Sequence, residues 1–192
     1  MEIRDSSETA FPSLVSQLKE YSGKNYAYVV GPRVGRSSSK EQYGFIYRTD
    51  RMFVHETWQY PDLADQFERP PFLVTFELIQ PTSHAGNYLT IIPSHTKPDD
   101  AVDEMNALVD VYDAWEARSE NTNAIIMGDL NADCSYVCKS CWSNVELKND
   151  QRFTWYVDND ADTTSGKTDC AYQGWLTTPN QRTCKCMRTC NS

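Results

Sequence analysis

Long hydrophobic runs are missing from this chain. No apolar stretch approaches the roughly eighteen residues that a membrane-spanning helix needs, so no membrane partner is expected. Basic charge is scarce too. Eighteen Lys and Arg stand against 27 Asp and Glu, a net charge of −9, which argues against a passive nucleic-acid binder with a broad basic face. It does not exclude a nuclease, because divalent cations offset the repulsion between an acidic protein and a phosphate chain. Cysteine is absent before Cys134. Cys138 and Cys141 form a CxxC with no second pair at matching spacing, which is weak support for a zinc site. The first twenty residues, with Glu2, Asp5 and Glu8, contain no signal-peptide pattern. Internal repeats and linkers are absent as well.

What is present reads as one globular domain. The 192 residues are 40% hydrophobic, with five Trp and eleven Tyr, enough to build a sizeable core. Phe11, Leu14, Val15, Leu18 and Tyr21 recur at helical spacing; Asp5 or Ser6 is placed to cap that helix and Gly23 to end it. Strands are predicted over Tyr26–Val30, Gln42–Arg48, Phe72–Leu78, Tyr88–Ile92 and Ala124–Met127, with a turn around Pro81 to Gly86. Pro98-Asp99-Asp100 opens a second helix whose buried face is Val102, Met105, Leu108, Val109, Tyr112 and Trp115. Mixed strands and helices with long apolar strands predict two packed sheets flanked by helices.

The most informative stretch is Met127-Gly128-Asp129-Leu130-Asn131-Ala132-Asp133-Cys134-Ser135-Tyr136. Asp129 and Asn131 sit two apart where an apolar strand ends, so both are expected to point the same way. A carboxylate and a carboxamide there suit a hard divalent cation and a phosphate oxygen. The plain alternative is a turn served by Gly, Asp and Asn. Upstream, Ile91-Ile92-Pro93-Ser94-His95 delivers a His at a strand end; downstream come Asp160-Ala161-Asp162-Thr163-Thr164 and Asp169-Cys170-Ala171-Tyr172. Together with Glu2-Ile3-Arg4-Asp5-Ser6, Gly35-Arg36-Ser37-Ser38-Ser39-Lys40-Glu41-Gln42-Tyr43 and Arg69-Pro70-Pro71-Phe72, this order resembles the deoxyribonuclease I family of the endonuclease/exonuclease/phosphatase superfamily, from about Glu2 to Tyr172.

The resemblance implies a four-layer α/β sandwich, here incomplete, and a divalent-metal-dependent endonuclease for double-stranded DNA. It places Mg2+ (or Mn2+) at Glu2 and Asp129, with Ca2+ in a structural role. His95 matches a catalytic His that acts as general acid or bonds the phosphate, Glu41 a Glu that orients it, and Asp129 with Asn131 a pair at the metal-bound water and phosphate. Arg4, Arg36 and Arg69 match positions that contact DNA. Cys134 and Cys170 match a disulfide, and secretion is implied. A monomer is expected; the family trait of actin binding finds no support in these residues. His55 and His84 have no supporting motif and read as surface residues.

Departures from the pattern set further expectations. Ser39 stands where the family commonly has a Tyr against a groove sugar, so groove engagement should weaken. The family's first strand is absent before Glu2, which is therefore expected to fray and to bind metal weakly. Gln173 stands in place of a catalytic Asp, and the family's closing Asp-His pair has no counterpart. The chain is thus divided into a partial deoxyribonuclease I-like domain, 1–172, and a divergent, disordered tail, 173–192, holding Cys184, Cys186 and Cys190, which resembles an alternative-exon or read-through ending. Impaired activity is expected. Two rivals stay open: a non-catalytic binding or decoy fragment or mispredicted isoform, and another phosphoesterase of the superfamily acting on lipid or inositol phosphates.

Overall fold

Asp5 organises the start of the first helix in the computed structural model, which describes residues 1–80, 86–119, 121–165 and 169–178. Its Oδ2 accepts the backbone N–H groups of Thr9 and Ala10, each at 2.8 Å, satisfying donors that a helix N-terminus leaves without partners. The bond from the Ser7 hydroxyl, then those from the backbone, hold the Asp5 carboxyl well below the usual carboxylate range. Helix α1 (Ala10–Ser22) then runs to Gly23, whose φ of 64° lets its N–H reach back to the Lys19 carbonyl.

The strands are β1 (Glu2–Ile3), β2 (Tyr26–Val30), β3 (Gln42–Arg48), β4 (Met52–Gln59), β5 (Phe72–Leu78), β6 (Tyr88–His95), β7 (Ala124–Asp129), β8 (Thr154–Trp155) and β9 (Gln173–Thr177). A three-stranded sheet has the order β1-β3-β2, and a six-stranded sheet the order β4-β5-β6-β7-β9-β8. Its β6–β7 pair is parallel, as a crossover through helix α2 (Ala101–Arg118) requires. Alternation along β5 sends Phe72, Val74 and Phe76 toward Tyr43, Phe45 and Tyr47 of the small sheet, and Leu73 to the other side. There Leu73, Ile92, Ile126 and Leu176 pack with Met105, Leu108 and Trp115 of α2, and with Leu147 of the short helix α3 (Glu146–Asn149). On the outside of the small sheet, Phe11 of α1 meets Tyr28 edge-on at 5.5 Å. The layers are α1, small sheet, large sheet and α2 with α3, the expected two sheets flanked by helices.

Several details differ from the sequence reading. Glu2 is not frayed: β1 pairs with β3 in the register Glu2↔Tyr43, and Met1 exchanges main-chain bonds with Gly44. Gln173–Thr177, assigned to the tail, continue the large sheet as β9 between β7 and β8, because the β7 ladder offers a partner that local composition does not reveal. Strand β4 has no counterpart among the predicted strands. Strand β7 extends through Gly128 to Asp129, beyond the predicted end at Met127. His84, Cys184, Cys186, Cys190 and most of the predicted turn lie outside the described residues. The two sheets also differ in breadth: on the inward side of β7 and β9, Met127 is 41% exposed and sits opposite Trp175.

Cys134 and Cys170 form the disulfide that the resemblance implies, and Cys138 pairs with Cys141. The sequence separations are 36 and 3. In the chain-entropy model the long loop contributes about 4 kcal/mol and the short one about 2 kcal/mol. Cys170 is buried, whereas Cys138 is exposed. Mild reduction of the folded protein should therefore open Cys138–Cys141 first. Alkylation with peptide mapping checks this; label on Cys134 and Cys170 ahead of Cys138 and Cys141 contradicts it.

Candidate active site

Glu41 is 1% exposed, and a buried carboxylate needs partners to stay charged. Paired backbone bonds with Val34, 2.8 and 2.9 Å long, clamp it at the end of the Gly35–Lys40 loop. Its Oε2 lies 2.7 Å from His95 Nδ1 and 2.9 Å from Arg69 Nε. The Arg69 contact is an ion pair whose N–H is off line for a hydrogen bond. Arg4 donates from Nε to Oε1 at 2.8 Å, with a guanidinium nitrogen at 2.7 Å. Burial alone would push the Glu41 carboxyl up; the charge and hydrogen bond of His95, with Arg69 and Arg4, outweigh it and hold the group below its ordinary range.

His95 ends β6. Its main-chain N–H donates to the Tyr43 hydroxyl at 3.0 Å, and that hydroxyl donates to the Arg69 carbonyl at 3.1 Å. Burial raises the Tyr43 phenol far above its usual value, so it stays neutral. Tyr43 thus ties the small sheet to both His95 and Arg69, a role with no signal in the local sequence. With Nδ1 engaged by Glu41, the imidazole offers Nε2 to a ligand.

The ladders bring the remaining residues to the same end. Asp129 is the register partner of His95 on β7, and Gln173 the partner of Asp129 on β9. Glu2 is the cross-strand neighbour of Tyr43, which points toward the large sheet, so Glu2 shares that face. One carboxylate on each sheet, both oxygen donors, fits a hard divalent cation. Asn131 behaves differently from Asp129. Its φ is 46°, and its Nδ2 donates to the Thr96 carbonyl at 2.9 Å. Its backbone N–H, not its side chain, meets Asp129 Oδ1, at 3.3 Å. Asn131 thus lies past the strand end in a left-handed turn, tied by its backbone to Asp129 and by its side chain to Thr96.

Arg36 stands apart from the Glu41 cluster. It pairs with Asp65 at 3.1 Å, and its N–H donates to Glu68. Asp133, Cys134 and Cys170 bring potential ligand atoms close together, but both sulfurs are spent in the disulfide. The expected Ca2+ role is not tied to a described cluster.

Residues 1–185 match the model of the endonuclease/exonuclease/phosphatase family. The chain is 41% identical over 179 residues to human deoxyribonuclease gamma, covering 90% of this chain and 58% of the relative. To sheep deoxyribonuclease-1 it is 38% identical over 176 residues, covering 89% and 66%. It thus spans less than two thirds of the length of these relatives. Among solved structures, truncated Caenorhabditis elegans TDP2 superposes with a TM-score of 0.56 at 10% identity, covering 88% of this chain and 66% of the other. An endonuclease/exonuclease/phosphatase family protein from Bacteroides thetaiotaomicron does so with a TM-score of 0.52 at 17% identity, over 88% and 64%; at these identities the likeness is one of fold. Sequence match and sheet architecture agree: the chain belongs to the endonuclease/exonuclease/phosphatase family.

Proposed function

We propose that this chain carries the site of a divalent-metal-dependent endonuclease acting on double-stranded DNA, and that its activity is low. The observation that carries the reading is the Glu41–His95 pair, flanked by Arg4 and Arg69 and abreast of Asp129. Similarity to deoxyribonucleases supports DNA as substrate.

Phosphodiester cleavage needs stabilisation of phosphate charge and a proton for the leaving oxygen. Glu41 fixes the His95 ring, so that Nε2 donates a proton or a hydrogen bond to the phosphate. Arg69 and Arg4 supply positive charge within a protein whose net charge is negative, and Asn131 offers its remaining carbonyl. Mg2+ or Mn2+ held by Glu2 and Asp129 would neutralise phosphate charge and lower the pKa of a bound water. Arg36, paired with Asp65, tracks the DNA backbone only if that pair opens.

Low activity follows from what surrounds His95. Among the described residues, His95 is the one imidazole at this site, with no second imidazole beside it to share acid–base work. An amide at Gln173, abreast of Asp129, cannot take a proton as a carboxylate can. General acid–base help is worth about 10²–10⁴-fold, so slow nicking of supercoiled plasmid is expected. That nicking should need Mg2+, stop with a chelator, and vanish in His95→Ala; Gln173→Asp alone should not restore a fast rate. Nicking that survives both chelation and His95→Ala would sink the reading.

A further inference from the structure

Glu104 lies in the first turn of α2, where an acidic residue normally faces solvent and favours the helix dipole. Here it is 1% exposed. Its Oε1 accepts the Glu68 N–H at 2.9 Å, and the Lys97 backbone approaches the carboxylate without meeting strict hydrogen-bond geometry at Oε2. The groups facing it come from two neighbouring segments. Glu68 and Arg69 belong to the stretch entering β5; the Lys97 backbone and Asp100 belong to the connection between His95 and α2. Arg36 and, on β3, Tyr43 also feel its charge. Glu104 therefore sits behind the two segments that deliver Arg69 and His95 to Glu41.

We propose that Glu104 is a positioning residue for the Glu41–His95–Arg69 cluster: it fastens the Arg69 segment to the turn after His95, and as an anion it competes with Glu41 for the Arg69 guanidinium. The consequence for activity rests on the nuclease reading above; the geometry is tested without it. Burial pushes the Glu104 carboxyl up to about 7, against the backbone hydrogen bonds and the attraction of Arg69. A raised carboxyl value means that the stability linked to Glu104 is fully present below the ordinary carboxylate range and is lost as pH rises through about 7. Over that same step Arg69, paired with Glu41, gains the attraction of a second carboxylate charge.

Nitrogen-15 spectra of the full chain test this directly. The Arg69 Nε resonance should move with an inflection near neutrality in the wild type, and that inflection should be lost in Glu104→Gln, which keeps an Oε1 acceptor for Glu68. Glu104→Ala should also displace the His95 ring resonances, and Glu104→Gln should return them toward wild type. An inflection that persists in Glu104→Gln overturns the proposal; so do His95 and Arg69 signals unmoved in Glu104→Ala. If Glu104→Ala does not fold, the Arg69 titration of wild type against Glu104→Gln decides alone. Plasmid nicking across the same pH range provides a separate arm: loss of an inflection in Glu104→Gln supports the proposal, whereas an inflection unchanged there overturns the effect on activity. Absence of all nicking in the wild type counts against the nuclease reading and leaves the resonance test standing.

Discussion

Gly128→Ala is expected to unfold the protein or to leave it too weakly folded to purify as a native species. Gly128 lies in β7 with a φ of 151°, a backbone conformation that L side chains rarely adopt. An added Cβ would come within 1.9 Å of the Ser94 carbonyl oxygen and 2.9 Å of its carbonyl carbon. Those atoms belong to β6, whose ladder to β7 runs from Thr90↔Ala124 to His95↔Asp129, so relief would force these central strands away from each other. Overlap with a fixed backbone atom, added to an unfavourable φ, places the cost at about 4 kcal/mol or more. Typical domain stability is only about 5–15 kcal/mol. Thermal or urea unfolding checks this; a Gly128→Ala protein that melts within a few degrees of wild type contradicts the stated close approach.

Glu41→Ala should act on stability and chemistry at once. It strips Arg69 and His95 of their shared carboxylate, and both side chains are mostly buried, at 14% and 15% exposure. Leaving one side of a buried ion pair without its partner costs about 3–5 kcal/mol. The Arg4 contact adds little to that figure, because its guanidinium end is open to water. Nicking should fall by about 10²–10⁴-fold, and adding His95→Ala should lower it little further, since the two act as a unit. The pH dependence has a definite sign. Glu41 titrates below its ordinary value when folded, so its contribution is present above that ordinary value and is lost as pH falls through the lowered one. Glu41→Ala should lack this acid-side loss in urea titrations. A variant with wild-type stability and nicking would show that the buried cluster is idle.

Periodicity made much of the scaffold legible. The spacing of Phe11, Val15 and Leu18, and of Met105, Leu108 and Tyr112, specifies helices because one face must be buried whatever the partner. The apolar runs at Phe72–Leu78 and Ala124–Met127 fit strands covered on both faces. Strand β4 escaped because polar His55 and Glu56 interrupt its apolar alternation, and a register shift falls between Val54 and Glu56. Strand β9 escaped for a different reason. Gln173-Gly174-Trp175-Leu176-Thr177 has little periodic signal of its own and is ordered by hydrogen bonds to β7 and β8. At the site, Glu41, His95, Arg4 and Arg69 converge; the resemblance couples Glu41 with His95 but gives Arg4 and Arg69 only as DNA contacts, so their meeting on Glu41, like the turn dihedral of Asn131, was not legible in spacing. Glu104 was not legible as a site neighbour: an acid in a helix's first turn has the same sequence signature whether it faces water or a buried backbone N–H.

The Tyr43 hydroxyl belongs to one sheet, and its two main-chain partners to a strand of the other and to the segment that enters it. Glu41 likewise rises from the loop beside the small sheet to meet groups carried by the large one. The reactive arrangement is therefore a coincidence of two scaffolds, and it exists only while they are docked in one alignment. A slip of one sheet over the other by a fraction of a residue would leave every strand ladder unbroken, yet it would pull the imidazole off its carboxylate. Catalytic competence is thus a property of the seam, and it can disappear while secondary structure remains whole.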